Sequence, residues 1–246
     1  MTGVLVTGGS GTLGSHVVRL LRAAGHDVRV LSRRPGGGTH QGDLASGAGV
    51  AEAVQGVTHI VHAASDTRRF GRRDLAQTGH LLDACGPDVE HLLYVSIVGI
   101  DQVPYRYYRK KLECEGLIEA SPVPSTILRA TQFHELLAMA FTAVQKLPVA
   151  PLPAGLRLQT VAAGDVAAQV VSVLEQEPVG RAADFGGPEV VELSRMAQLW
   201  QQRHHRPRRF AWVPLPGRVM RGVRQGLLTC PDHADGQQSW AQFLAL

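Results

Sequence analysis

Two groups of residues in this chain have types and spacings suited to chemistry. Tyr107-Tyr108-Arg109-Lys110-Lys111 contains a YxxxK pattern, and on a helix that offset brings Tyr107 and Lys111 onto one face, a turn apart. A phenol of ordinary pKa, about 10, is a poor acid-base group at neutral pH until a nearby cation stabilises its phenolate. Lys111 is the cation at hand. Ser96 closes an apolar run eleven positions before Tyr107, where its hydroxyl can hold a carbonyl oxygen. The reading is proton transfer at a carbonyl or alcohol oxygen, with Tyr107 as acid/base, Lys111 as its electrostatic partner and Ser96 as anchor. The chain has 22 Arg and only 3 Lys, two of them at Lys110 and Lys111; retained lysine in an arginine-rich protein points to a need for a compact ammonium. The plainer alternative is an exposed Tyr-Lys helix face.

The second group is the glycine run Gly8-Gly9-Ser10-Gly11-Thr12-Leu13-Gly14. It follows the apolar residues Val4-Leu5-Val6 and opens an amphipathic segment, so it reads as a strand-to-helix turn. Glycines let the backbone turn tightly and approach a pyrophosphate, whose charge is favoured at a helix N-terminus. Gly8, Ser10, Gly11, Thr12, Leu13 and Gly14 are therefore expected to hold a dinucleotide. The next strand ends Ser32-Arg33-Arg34 with no acid, since Asp27 falls at its start. An acid there bonds a ribose 2′-hydroxyl, whereas arginine accommodates a 2′-phosphate. Ser32, Arg33 and Arg34 thus favour NADP(H) over NAD(H), the alternative being surface arginines in an arginine-rich chain.

At 246 residues, with 44% hydrophobic and 19% charged residues, the chain has the composition of a folded domain with one sizeable core. Cys85, Cys114 and Cys230 show no metal-ligand spacing, which favours free thiols in a reducing compartment over a disulfide framework. His59 and His62 lie three apart on a strand and face opposite sides, and His204-His205 are adjacent, so no metal site is expected. The net charge of +4 comes from arginines, and the basic stretches Arg68–Arg73 and Arg203–Arg209 read as solvated faces; nucleic-acid binding is not expected. The apolar stretch Leu136–Val144 is too short to span a bilayer. A cytoplasmic protein, monomeric or homodimeric, with a small-molecule substrate is the resulting expectation.

Apolar and amphipathic segments alternate along the first half, as parallel strands joined by crossover helices do. Strands are predicted at Val4–Thr7, Asp27–Ser32, Thr58–Ala64, His91–Ser96 and Ser125–Ala130, and helices at Leu13–Ala24, Asp74–Cys85 and Tyr105–Ala120. A loop at Gly36-Gly37-Gly38 and a proline-rich passage from Pro148 to Pro153 interrupt the pattern. A helix over Asp165–Glu177 and a strand at Ala183–Phe185 follow, then helices at Leu193–His204 and Arg218–Leu228 and a strand near Phe210–Val213. The expected architecture is an α/β Rossmann-type, doubly wound parallel sheet over residues 1–150, completed by 160–187, with a small C-terminal substrate-binding lobe over 188–246.

With TGGSGTLG, the HAAS stretch at His62–Ser65, YVSIVG at Tyr94–Gly99, YYRKKLECE at Tyr107–Glu115 and TILRATQF at Thr126–Phe133, the chain resembles the short-chain dehydrogenase/reductases. It is most similar to their atypical, NmrA-like NAD(P)H-binding branch. The resemblance implies that Asp43 and Leu44 lie against the adenine, that Ala63, Ala64 and Ser65 follow the middle of the cofactor, and that Lys111 reaches the cofactor ribose. It also implies that Ala130, Thr131 and Phe133 pass near the nicotinamide, with Phe133 and His134 facing the substrate; the alternative for His134, at a helix start, is a capping or packing residue. The sequence contains no Asn, so the Asn of the typical subgroup's catalytic tetrad is missing. The expected activity is NADP-dependent hydride transfer to or from a small carbonyl, alcohol or enone. A non-catalytic NADP(H) sensor and a sugar-nucleotide epimerase are the alternatives.

Overall fold

The computed structural model describes residues 2–34, 36, 38–144, 146, 147, 149–204 and 210–245. In chain order its first elements are β1 (Gly3–Thr7), α1 (Thr12–Ala23), β2 (Asp27–Ser32), β3 (Thr39–Gln41), α2 (Val50–Val54), β4 (His59–His62), α3 (Asp74–Ala84), β5 (His91–Ile97), α4 (Arg106–Glu119) and β6 (Ser125–Ala130). There follow α5 (His134–Val144), β7 (Ala150–Pro153), β8 (Arg157–Leu158), α6 (Ala163–Leu174), β9 (Gly180–Arg181), β10 (Val191–Glu192), α7 (Leu193–His204), β11 (Phe210–Val213), α8 (Arg218–Arg224) and α9 (Trp240–Leu244).

Seven strands form a parallel sheet in the order β3-β2-β1-β4-β5-β6-β9. Val4, Leu5 and Val6 are fully buried because β1 is paired on both sides, Val4 lying opposite Val28 of β2 and His59 of β4. That is why β1 reads as an unbroken apolar run. The chain winds outward from β1 to β3 and then returns to β4, so the strand order reverses between β1 and β4. In open α/β sheets, ligands bind in the crevice outside the carboxyl ends of the strands at such a reversal.

By compactness the chain divides into two units, residues 1–96, 106–129 and 166–183 in one and residues 97–105, 130–165 and 184–246 in the other. The second unit thus draws on three stretches of chain. In the first unit, Leu5, Ile60, Leu92 and Ile127 of the sheet pack with Val50 and Val54 of α2, Leu81 of α3 and Cys114 and Ile118 of α4. Buried Glu115 binds Arg129 through two hydrogen bonds of 2.9 and 2.7 Å and Arg181 through a third of 3.0 Å, joining α4 to β6 and β9. A buried carboxylate needs such pairing to offset its desolvation.

The second unit is held by aromatic packing. Phe141 of α5 meets Trp200, Phe210 and Trp240 at ring separations of 5.7, 6.4 and 6.0 Å. Two expectations change here. The proline-rich passage contains the strand β7, which pairs in parallel with β11, Ala150 opposite Phe210; a two-stranded ribbon is all edge, where proline is tolerated. The strand expected at Ala183–Phe185 is β9 at Gly180–Arg181, and Phe185 makes only an isolated bridge to Ala130. Gly37, Pro148 and residues 205–209, which include His205 and most of the second basic stretch, lie outside the described residues.

Candidate functional site

The turn between β1 and α1 requires glycine at two points. Gly8 has φ +71°, and a Cβ there would stand 2.7 Å from the Ala64 backbone nitrogen. A Cβ on Gly14 would overlap the Gly8 carbonyl oxygen, so the first turn of α1 packs directly on the loop. Gly11 caps α1 with no side-chain hydrogen bond, and the first turn carries no acidic residue. The N–H groups and positive dipole end of α1 are thereby kept for an anion.

A cavity of about 760 Å³ opens over this turn, entirely within the first unit. Gly8, Ser10 and Gly11 line it from the turn, and Ser32, Arg33 and Arg34 from the end of β2. Asp43, Leu44, Ala63, Ala64 and Ser65 complete the wall among the residues expected from sequence. Ser32 Oγ accepts from the Arg34 backbone N–H at 3.2 Å, which turns the chain so that both guanidinium-bearing residues stand at the rim. Asp43 Oδ1 accepts from the Ala45 backbone N–H at 3.0 Å. Thr12, Leu13 and Gly14 build the first turn of α1 behind the lining, Leu13 being buried in the core. Asp66, Arg73 and Gln77 also line the cavity and lie outside the residues expected from sequence; the available signal was Asp74 and Gln77, polar residues one turn apart on α3.

Tyr107 and Lys111 lie on one face of α4, as their spacing predicts, but their polar atoms have different partners. Ser65 Oγ donates to Asp74 Oδ2 at 2.6 Å. Its only proton is committed there, so its oxygen accepts from the Tyr107 hydroxyl at 2.9 Å. Lys111 is buried, donates to the Val95 carbonyl at 2.7 Å and stands 4.0 Å from the centre of the Tyr94 ring. The interior stripe Lys111, Cys114, Glu115 and Ile118 carries it inward. The expectation that Lys111 pulls the Tyr107 phenol down is corrected: burial first, and the Asp74 charge after it, push it up to about 12. Lys111 is itself pushed down to about 8 by burial. Ser96 is buried, and its hydroxyl oxygen has no hydrogen-bond partner.

Ala130, Thr131, Phe133 and His134 belong to the second unit. Thr131 N–H donates to the Phe185 carbonyl at 3.0 Å, its Oγ1 accepts from Gly187 N–H at 3.3 Å, and Phe133 bridges Val161. His134 does not face a substrate space: it is buried, with Nδ1 bonded to Thr160 Oγ1 at 2.7 Å and Nε2 to the Gln238 carbonyl at 2.9 Å. Nδ1 thus ties α5 to the segment before α6, and Nε2 ties it to the C-terminal stretch. Among the described residues no group of His, Cys, Asp or Glu can hold a metal ion, and no helix is long and apolar enough to cross a membrane.

The residues present fit a nicotinamide dinucleotide. A cradle that a Cβ would fill meets an open helix N-terminus, and two arginines stand at the end of β2. Asp66 Oδ2 and Gln77 Oε1 are buried acceptors without partners on residues of the same wall.

A model of an NAD(P)H-binding family matches residues 8–177. An NADPH-dependent quinone oxidoreductase from Escherichia coli, solved with NADPH, shares the fold at TM-score 0.83 and 18% identity over 98% of each chain. A nucleoside-diphosphate-sugar epimerase from Staphylococcus aureus gives 0.80 at 17% identity over 99% of each. A short-chain dehydrogenase/reductase superfamily protein from Agrobacterium tumefaciens, solved with NAD, gives 0.75 at 19% over 99% of this chain and 95% of that one. A 3-beta-hydroxysteroid dehydrogenase of Mycolicibacterium neoaurum is 42% identical over 69 residues, and the match spans only 19% of its length. With that family match over residues 8–177, which include the glycine turn and the rest of the cavity wall, the chain belongs to the NAD(P)H-binding family.

Proposed function

We propose that this chain is an NADP(H)-dependent oxidoreductase that reduces a small carbonyl compound or enone. The observation that carries the reading is the cavity over the glycine turn with Arg33 and Arg34 on its wall at the end of β2 and no acid at that end. A 2′-phosphate on the adenosine ribose is the group that a guanidinium pair there recognises.

When bound, the nicotinamide supplies or accepts hydride. The chain's own part is to hold a proton ready. A phenol at about 12 keeps its proton throughout the neutral range, so Tyr107 serves as an acid toward a developing alkoxide rather than as a base toward an alcohol. Its hydroxyl turns about the C–O bond from Ser65 to a substrate oxygen. The unpaired Ser96 hydroxyl gains a partner from the same oxygen, removing the cost of about 1–3 kcal/mol that an unsatisfied buried group carries. Lys111, held on the Val95 carbonyl, positions α4 against β5. A quinone falls in the same substrate class, and its reduced oxygen asks less of an acid than an alkoxide does; the likeness in fold to the quinone oxidoreductase of Escherichia coli supports including quinones.

The raised phenol also favours the second reading, a non-catalytic NADP(H) sensor, because Tyr107 lacks the ammonium partner that acid-base turnover draws on. A panel of carbonyls, enones and quinones followed by NADPH absorbance, with Tyr107→Phe as control, separates the two. For carbonyl substrates the enzyme reading predicts that the variant loses at least about 100-fold in kcat, within the range general acid catalysis contributes, while binding NADPH as before. Absence of any turnover across the panel, with NADPH binding intact, supports the sensor.

A further inference from the structure

The α3 helix carries a polar stripe, Asp74, Gln77 and His80, of which Gln77 lines the cavity. At its start, Asp74 accepts from Ser65 Oγ at 2.6 Å and from the Asp66 backbone N–H at 2.7 Å. Two turns on, His80 Nδ1 bonds the Leu44 carbonyl at 2.7 Å. Six residues of helix span about 9 Å, so α3 is fastened at one end to the Ser65 segment and at the other to the Leu44 segment. Gln77 lies between these ties, three residues from each, and shares the face. It lines the same cavity as Leu31, Asp43, Leu44 and Ala45.

Gln77 has two features of a group that awaits a ligand. Its Oε1 is buried without a hydrogen-bond partner, which costs about 1–3 kcal/mol until a donor is supplied. Its terminal amide torsion is also soft, so the carboxamide can turn either atom toward an occupant at little cost. Asp43, the other polar side chain on this part of the wall, already has Oδ1 on the Ala45 N–H.

The proposed cofactor reading determines what that occupant is. A 2′-phosphate held at Arg33 and Arg34 sits on the adenosine ribose, and the diphosphate at the head of α1 is joined to the same ribose. The base attached to that ribose then lies along Leu31 and Asp43–Ala45, opposite α3. A glutamine carboxamide, with one donor and one acceptor side by side, matches the amino edge of adenine, where an N–H donor adjoins a ring-nitrogen acceptor.

We infer that Gln77 reads the adenine base of the dinucleotide, accepting from its exocyclic amine and donating to the neighbouring ring nitrogen. The inference rests on the proposed NADP(H) reading. It assigns base recognition to α3, whereas arginine at β2 recognises only the phosphate.

The test is calorimetric and needs no turnover. Binding of NADP is compared with that of its 1,N6-etheno derivative, in which the ring nitrogen and the exocyclic nitrogen are bridged and the N–H is lost, on the wild-type chain and on Gln77→Met. Methionine keeps the side-chain volume, and Gln77→Ala serves if the first variant does not fold as judged by circular dichroism. The expectation is that the wild type binds NADP about 10-fold tighter than the derivative. In the variant NADP weakens by about that factor and the derivative changes less than about two-fold, so the preference disappears. A preference that survives the substitution, or equal weakening of both ligands, overturns the role of Gln77 while leaving NADP bound. Failure of the wild type to bind NADP at all overturns the cofactor reading and this inference together.

Discussion

Within the first unit, two sets of polar groups meet opposite conditions. His62, on the buried side of β4, has both ring nitrogens engaged, Nδ1 with Thr7 Oγ1 at 2.7 Å and Nε2 with Thr78 Oγ1 at 3.1 Å. Burial, reinforced by the Lys111 charge, pushes it down to about 3, and it stays neutral. On the cavity side, Asp66 Oδ2 and Gln77 Oε1 are buried without partners, and Arg33 and Arg34 stand exposed on the wall. A protein satisfies its buried polar groups where they serve only the fold. The paired set joins β1, β4 and α3, and the unpaired acceptors on the cavity wall are the ones a bound dinucleotide would satisfy under the proposed reading.

The largest effect belongs to the paired set. His62 titrates near 6.5 when unfolded and at about 3 when folded, so between those values the unfolded chain binds the extra proton. Stability therefore falls as pH drops through 6.5, and the loss levels off below about 3. The full shift corresponds to about 5 kcal/mol. Urea unfolding at stepwise lower pH is expected to show this slope, and His62→Gln, which keeps an amide for one threonine, is expected to flatten it. An unchanged slope in the variant would assign the acid sensitivity to other groups.

A smaller effect tests the turn on which the binding surface rests. Gly14→Val drives a side chain into the Gly8 carbonyl and prises α1 from the loop. Dinucleotide affinity measured by calorimetry is expected to fall at least about 100-fold, equivalent to about 2.7 kcal/mol. Retention of wild-type affinity would mean that the diphosphate does not lie on this turn.

The two sets also differ in how far sequence reveals them. The glycine turn was legible because its requirement is local: a positive φ and a close approach exclude every side chain but one, and the pattern lies in seven consecutive residues. The place of Arg33 and Arg34 on the cavity wall was legible because they follow β2 directly. The pairing of Ser65 with Asp74 and Tyr107 was not, since its members come from a loop and two helices whose juxtaposition appears only in the fold. Lys111 stands out in the sequence as one of three lysines, yet spacing along α4 says nothing about the Val95 carbonyl that takes its ammonium. The resemblance places His134 toward a substrate, whereas its position at a helix start points to packing; the packed partner, the Gln238 carbonyl more than a hundred residues later, lies beyond any local pattern. The ribbon of β7 with β11 was hidden by prolines that an isolated edge pairing tolerates.

Whether the exposed arginines select the coenzyme is decided by calorimetry of NADPH and NADH on the purified chain and on the Arg33→Ala/Arg34→Ala double variant. The wild type is expected to bind NADPH at least about 10-fold tighter than NADH, and the double variant to lose this preference by weakening NADPH alone. Raising the salt concentration is expected to erode the preference as exposed charges are screened. Tighter binding of NADH by the wild type, or a preference for NADPH that persists without the two arginines, would contradict the assignment of the 2′-phosphate to the end of β2.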